Sequence, residues 1–373
     1  MAYLFVSKTR GEEYVNWLRQ FIQQQVGLYG GERPPKVPLI VHGSGGTTWD
    51  VVSFIKESGA AGAVLVGFGE HNSYAAALHT KAELETEGVP AVVYHCPTLS
   101  ECVEVLKKAK AVADAASSMF YKKALLIGRH TPQVEAARER FHWDVEVMPL
   151  EKFEEFVAAS GEDPEAKSLS GSVQLAKLTE ALRRLAHGRD LVAIQCFPYL
   201  MRNKVTPCLA VALLNRESII VCEGDLSAAF AMALSKKLSK YSGWVANVVY
   251  RRGAQAAFAH CTISLDMVKS WALMPHFESG YPVGVAGELA HDVYTIVSAS
   301  PRLDKLAVGR AKVLKSGNFI KDACRTQALV EFEKEVDLEK IAPANHHVFI
   351  PGDYVEEIES IAKLLSLSIV KYM

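Results

Sequence analysis

Ser218-Ile219-Ile220-Val221-Cys222-Glu223-Gly224-Asp225 is an apolar run of strand length that stops at two carboxylates separated by one glycine. A helical pattern follows, with Ala228, Met232 and Leu234 on its apolar side. A buried strand passing into a helix in this way belongs to an α/β sheet, whose ligands bind outside the carboxyl ends of the strands. Glu223 and Asp225 stand at such an end. Two carboxylates there suit a hard or borderline cation, or proton transfer to a polyol. Asp225 reads first as the cap of the following helix, whose leading N–H groups need acceptors. The positive end of that helix would favour Glu223 too, but Glu223 has less structural reason to be there and reads as functional.

Working outward, the chain before this stretch alternates strand and helix. Strands are expected at Tyr3–Ser7, Pro38–His42, Ala63–Phe68 and Pro90–His95. Helical patterns lie at Glu12–Val26, Trp49–Glu57, Ser73–Glu87 and from Ser100 towards Met119. A second series begins near Lys123, with strands at Ala124–Gly128, Asp144–Met148 and Leu191–Cys196, and helices at Val134–Phe141, Val173–Ala186 and Leu209–Leu214. Ser160–Ser168 is polar and reads as a loop. Continuous apolar strands alternating with helices predict parallel sheets covered on both faces. Past Tyr241 short β-rich runs dominate: Trp244–Tyr250, Ala256–Ser264, Val283–Gly287, Val293–Ala299, Leu306–Lys315 and Gln327–Glu333. A helix at Tyr354–Leu364 and a strand at Leu367–Tyr372 follow. Short strands in series predict an antiparallel barrel or sandwich. The expected architecture is α/β: two doubly wound, flavodoxin/Rossmann-like parallel-sheet domains and a β-rich, barrel-like C-terminal domain. The boundaries fall at residues 1–118, 119–241 and 242–373. The glycine-bearing loops Gly43–Thr48 and Gly67–Asn72 lack the spacing of either common nucleotide fingerprint and read as tight turns with Thr or Asn caps.

Composition narrows the function. The 373 residues are 49% hydrophobic and 22% charged, ordinary for a globular protein of two or three cores. A net charge of −1 argues against a general nucleic-acid binder or a membrane-surface protein. No run reaches the length of a membrane span. The N-terminal Met1–Ser7 lacks a basic region and a cleavage site and reads as a first strand. Seven scattered cysteines, none in a C-x-x-C pair, suit reduced thiols and a cytoplasmic protein.

The last third holds groups able to bind metal or sugar: His260-Cys261, His276-Phe277-Glu278-Ser279-Gly280, Arg325-Thr326-Gln327 and Asn345-His346-His347. Imidazole with carboxylate suits Mn²⁺, Co²⁺, Zn²⁺ or Fe²⁺. A single histidine on a strand is more often a satisfied core residue, and that reading competes for His260 and His276. Strand alternation would turn one of His346 and His347 inward and the other outward.

The order of Cys196-Phe197-Pro198, Pro207-Cys208, Leu214-Asn215, Cys222-Glu223-Gly224-Asp225, His260-Cys261, His276–Gly280, Cys324–Gln327 and His346-His347 resembles the L-fucose isomerase/L-arabinose isomerase superfamily, in its short, fucose-isomerase-like form. The resemblance runs from about Cys196 to the end. It implies Mn²⁺ or a similar divalent ion, a sugar substrate converted between aldose and ketose through an enediol, and a homo-oligomer, trimeric or hexameric. It implies Glu223 as metal ligand and base, His347 as the C-terminal histidine ligand, and His260 near a further ligand position. Asp225, His276, Glu278, Arg325 and His346 would contact substrate. Asn247 takes the place of the family's second acid. Its amide oxygen can coordinate a hard cation, but it carries no charge and cannot act as a base. Two other readings fit this pattern: a non-catalytic carbohydrate-binding protein, or a metal-dependent lyase or epimerase of sugars using Glu223 alone. In the latter, Arg251, Arg252 and Arg325 would meet an anionic substrate.

Overall fold

The computed structural model describes residues 1–29, 34–98 and 101–372. The chain divides into two compact units, one of residues 1–120 with 356–368, the other of residues 121–355 with 369–373. The first unit alternates β1 (Ala2–Phe5), α1 (Glu12–Gln25), β2 (Leu39–His42), α2 (Thr48–Ser58), β3 (Ala63–Phe68), α3 (Ser73–Thr86), β4 (Ala91–Cys96) and α4 (Cys102–Ser117). The expected start of α4 at Ser100 lies outside the described residues. The four strands are parallel in the order β1-β2-β3-β4, and a parallel bridge joins Ala2 to Leu28. Fully buried β2 and β3 pack Ile40 and Leu65 against Val51 and Ile55 of α2 and Ala77 and Leu84 of α3. Gly67 allows the close approach of α3, since a Cβ there would lie 2.6 Å from the Cα of Tyr74.

Two expectations are corrected in this unit. Cys96 and Cys102 are joined in a disulfide, their Cα atoms 5.1 Å apart, because the end of β4 and the start of α4 bring them together across a short loop. The expectation of reduced thiols therefore holds for the other five cysteines only. Thr47 and Asn72 precede their helices but make no side-chain capping bond. The Thr47 hydroxyl instead donates to Ser44 O and meets Nδ1 of the buried His42 at 2.8 Å.

The second unit begins with β5 (Lys123–Ile127), α5 (Pro132–Phe141), β6 (Asp144–Met148), α6 (Leu150–Ala158), α7 (Pro164–Ser170), α8 (Val173–Ala186), β7 (Leu191–Ile194), α9 (Cys196–Asn203), α10 (Cys208–Leu214), β8 (Ile220–Val221) and α11 (Leu226–Ser239). Its sheet is parallel, in the order β6-β5-β7-β8. The polar stretch expected as a loop contains most of α7, which runs on to Ser170. Asp163 caps it by accepting from Ala166 N at 2.7 Å, and Pro164 occupies a first-turn position that needs no N–H donor. Leu125, Ile127, Val192 and Ile194 of the strands pack against Leu178 and Leu182 of α8.

The rest of this unit is antiparallel: β9 (Trp244–Arg252), β10 (Gln255–His260), β11 (Val268–Met274), β12 (Gly284–Leu289), β13 (Val293–Ala299), β14 (Lys305–Gly317), β15 (Thr326–Phe332), α12 (Leu338–Ile341) and β16 (His346–Pro351). Then come α13 (Val355–Leu364), most of which belongs to the first unit, and β17 (Ser368–Lys371). The order β13-β16-β9-β10-β15-β14 closes through pairing of β13 with β14, making a barrel with no free edge along that circuit. Trp244, Phe258, Tyr294, Phe332 and Phe349 fill it. Strands β11 and β12 form a separate ribbon, and β11 was not expected from the sequence. No helix of the described residues is long and apolar enough to cross a membrane.

Candidate metal centre

The predicted strand at Ser218–Val221 is only the two residues of β8, an edge strand, and the chain then tightens into a 3-10 turn at Cys222–Gly224. Within that turn Glu223 adopts φ 60°, ψ 9°, the left-handed region that a residue with a Cβ enters at a cost of about 1–3 kcal/mol. Gly224 follows at φ 66°, and a Cβ on it would meet Gln195 Cγ at 2.7 Å. Gln195 is itself locked, accepting from Arg129 N at 2.9 Å and donating to Arg129 O at 2.8 Å. Its side chain thus lies beside Gly128 and Gly224, at the ends of β5 and β8. The carboxylates stand beyond the edge strand β8 rather than between β5 and β7, where the strand order reverses.

Asp225 is the cap the sequence predicts. Its Oδ1 accepts from Ser227 N at 2.8 Å and Ala228 N at 3.2 Å, and from the Ser227 hydroxyl at 2.6 Å. Gln133 of α5, unnoticed in the sequence, completes the cap by donating to Oδ1 at 3.0 Å and accepting from Leu226 N at 2.8 Å. The other oxygen, Oδ2, meets His346 Nδ1 at 2.7 Å. That contact fixes the His346 ring and turns its Nε2 to Glu223 Oε2, 3.5 Å away. From the end of β10, His260 sets its own Nε2 3.5 Å from Glu223 Oε1. The two rings stand edge to face, 5.7 Å apart.

Both Nε2 atoms are buried and, beyond their 3.5 Å ion-pair approach to Glu223, lack a hydrogen-bond partner. A buried polar atom left unpaired is costly, so two of them aimed at the two oxygens of one carboxylate suit a ligand between them. One donor atom each from Glu223, His260 and His346 lies within 4.8 Å of the others, a separation a divalent ion can draw together. The donor set, one carboxylate and two imidazoles, suits borderline divalent ions. The Asp225–His346 pair supplies the carboxylate support that metal-binding histidines use. The residues present therefore fit a cation. Charge agrees: the His260 and then His346 imidazoles hold the Glu223 carboxyl well below the usual carboxylate range. Burial opposes charge on His346, but the Asp225 and Glu223 carboxylates outweigh it and push its pKa up to about 9, so an ion bound at Nε2 must displace a proton.

The other predicted residues are distributed differently. His347, expected as a ligand, is not in this group. It is fully buried against Phe258 and Tyr372, and both ring nitrogens are engaged, Nδ1 with Asn345 O at 2.9 Å and Nε2 with the Tyr372 hydroxyl at 2.8 Å. Strand alternation is the reason: His347 shares a face of β16 with the core residue Phe349, while His346 takes the opposite face. The signal was in the sequence, in the aromatic two positions beyond His347. Asn247 lies opposite His346 in register, but its Oδ1 accepts from Asn345 Nδ2 at 2.6 Å, which occupies it as a ligand. Arg325 donates to Pro275 O at 2.7 Å and lies over the Phe277 ring, bracing the turn that carries His276. Glu278 on that turn is exposed. Arg251 pairs with Glu339 and Asp337, and Arg252 is exposed. His276 is buried near His260, and burial followed by the His260 charge lowers its pKa. No protein-family model matches the chain, and no curated protein does.

Proposed function

We propose that this chain is a divalent-metal-dependent enzyme acting on a small sugar, an aldose–ketose isomerase of the L-fucose isomerase/L-arabinose isomerase superfamily, with Mn²⁺ or a similar ion held by Glu223, His260 and His346. One observation carries the reading: two buried Nε2 atoms with no hydrogen-bond partner each stand 3.5 Å from a different oxygen of one carboxylate. A divalent ion there would polarise a sugar carbonyl and stabilise charge developing on adjacent oxygens. The chain's own residues do the rest. Asp225 orients His346, the left-handed turn presents Glu223, and Glu223 is the group that would accept a proton from the sugar carbon. In the same reading the α/β halves are doubly wound, with Leu28 standing beside β1 in place of a full strand, and the chain assembles as a trimer or hexamer.

Asn247 favours a second reading, a carbohydrate-binding protein without turnover. The residue is neutral where a second proton-transfer group would stand, and Asn345 already holds it. Incubating the Mn²⁺-loaded protein with a panel of aldoses and ketoses, and resolving the products by chromatography, separates the two. Conversion that falls to background in Glu223→Gln is the expected result. Sugar binding without conversion selects the second reading, and neither binding nor conversion contradicts both.

A further inference from the structure

All five cysteines outside the disulfide gather beside the Glu223 group. Cys208 and Cys261 place their sulfurs 3.4 Å apart. Cys222 interacts electrostatically with Cys196 and Cys208, and Cys261 with Cys222 and Cys324. Four of the five are buried. Buried cysteines commonly serve as small apolar residues. Packing alone gives no reason, however, for cysteines from the start of α9, the start of α10, the turn after β8, the residue after β10 and the loop before β15 to converge on one point. Nor does it explain a buried histidine among them.

We propose that Cys208, Cys261 and His276 form a second cation site, for a thiophilic ion of the Zn²⁺ class. One donor atom from each of the three lies within 4.8 Å of the others, and all three residues are buried. A tetrahedral ion with Zn–S bonds of about 2.3 Å spaces two sulfurs by roughly 3.8 Å, so the observed pair needs only a small opening. The supports are already built. Thr262 Oγ1 donates to Cys208 O at 2.6 Å, tying the two cysteine-bearing segments together. Thr206 N donates to Pro282 O at 3.0 Å, and Val283 N donates to Thr206 Oγ1 at 3.1 Å, tying Cys208 to the segment after His276. His276 Nδ1 meets Ser279 Oγ at 3.0 Å and accepts from Ser279 N at 3.4 Å, contacts that orient the ring. Gly284 of β12 lies beside this point, its Cβ position 3.5 Å from Cys261 O and 3.6 Å from His276 Cα.

On binding, the two thiols release their protons to solvent and the ion takes two thiolates and one imidazole. The fourth position is left for a small donor, the pattern of zinc sites that keep a coordination position open. Thiolates select soft ions, whereas the carboxylate and imidazoles of the Glu223 group also accept Mn²⁺. His260 and Cys261 are consecutive, so the two sites would adjoin while differing in chemistry.

The test is titration of the full-length, thiol-reduced protein with Co²⁺, whose bonds to thiolate give a near-ultraviolet charge-transfer band that carboxylate and imidazole cannot. The band is expected in the wild type and in Glu223→Gln, is displaced by Zn²⁺, and falls at least tenfold in Cys208→Ala with Cys261→Ala. Survival of the band in Glu223→Gln separates this site from the Glu223 reading. Should the double variant fail to fold, the cadmium NMR shift of the wild type counts sulfur ligands without any substitution, and two sulfurs are expected. Absence of the band from saturated wild type, its loss in Glu223→Gln alone, or a cadmium shift without sulfur overturns the proposal. So does a Cys208–Cys261 disulfide found by mass spectrometry in protein that has not been reduced.

Discussion

Asp225 divides its two oxygens between two tasks: Oδ1 caps α11, and Oδ2 holds the His346 ring. Asparagine caps a helix as well as aspartate but brings no charge to an imidazole. Asp225→Asn should therefore keep the cap but lose the buried ion pair with His346, lowering stability and weakening Mn²⁺ binding by about 10–100-fold, the usual penalty for losing the support of a metal-bound histidine. Asp225→Ala should show the same losses together with about 1 kcal/mol of further destabilisation from the lost cap. Calorimetric Mn²⁺ titration and urea unfolding of the two variants check the pair. Equal affinity in wild type and Asp225→Asn would leave the carboxylate with its capping role alone. Glu223 makes the complementary point. Its left-handed backbone is a local cost that the helix cap does not require, and it sets the carboxylate against two imidazoles.

At the scale of the element, β16 decides which histidine does what. Adjacent residues of a strand face opposite sides, so His346 and His347 cannot share a site. His347 closes the barrel interior through Tyr372, and burial pushes its pKa down to about 4, keeping the ring neutral. Tyr372→Phe should strand a buried imidazole nitrogen and cost about 1–3 kcal/mol in urea unfolding. Mn²⁺ affinity should be unchanged; a large fall in affinity would restore His347 to the metal site. The alternation of strands with helices, the β-rich final third and the cap at Asp225 were legible because each rests on local periodicity or chain direction. Of the metal group, Glu223 and His260 were visible as candidate ligands, Glu223 by its place at a strand end, whereas His346 was expected to contact substrate and His347 to be the ligand. What the sequence did not reveal depends on distant neighbours. The pairing of Cys96 with Cys102 needs the β4–α4 geometry, and the gathering of five cysteines needs the barrel brought against the second sheet. The role of Gln133 rests on its contact with a cap 92 residues away.

At the scale of the whole molecule, each unit carries its own buried histidine chemistry. In the first, His42 is fully buried with Nε2 lacking a partner, and burial lowers its pKa from 6.5 to about 4. The unfolded chain protonates near pH 6.5 and the folded one only near 4, so stability contributed by the neutral ring is complete above pH 6.5. It falls as pH drops from 6.5 towards 4, by about 3 kcal/mol at most. Urea midpoints measured across that range should decline in the wild type and decline less in His42→Gln; parallel slopes would contradict the assignment. In the second unit, the account depends on one centre made by the turn after β8, the end of β10 and the start of β16. Mn²⁺ titration by calorimetry on purified wild type and Glu223→Gln tests it most directly. The structure predicts about one ion bound per chain in the wild type and none in the variant, because the variant loses the one charged oxygen donor among the three ligands. A wild type that binds no Mn²⁺, or a variant that binds it equally well, would contradict the assignment of Glu223, His260 and His346 as a metal centre.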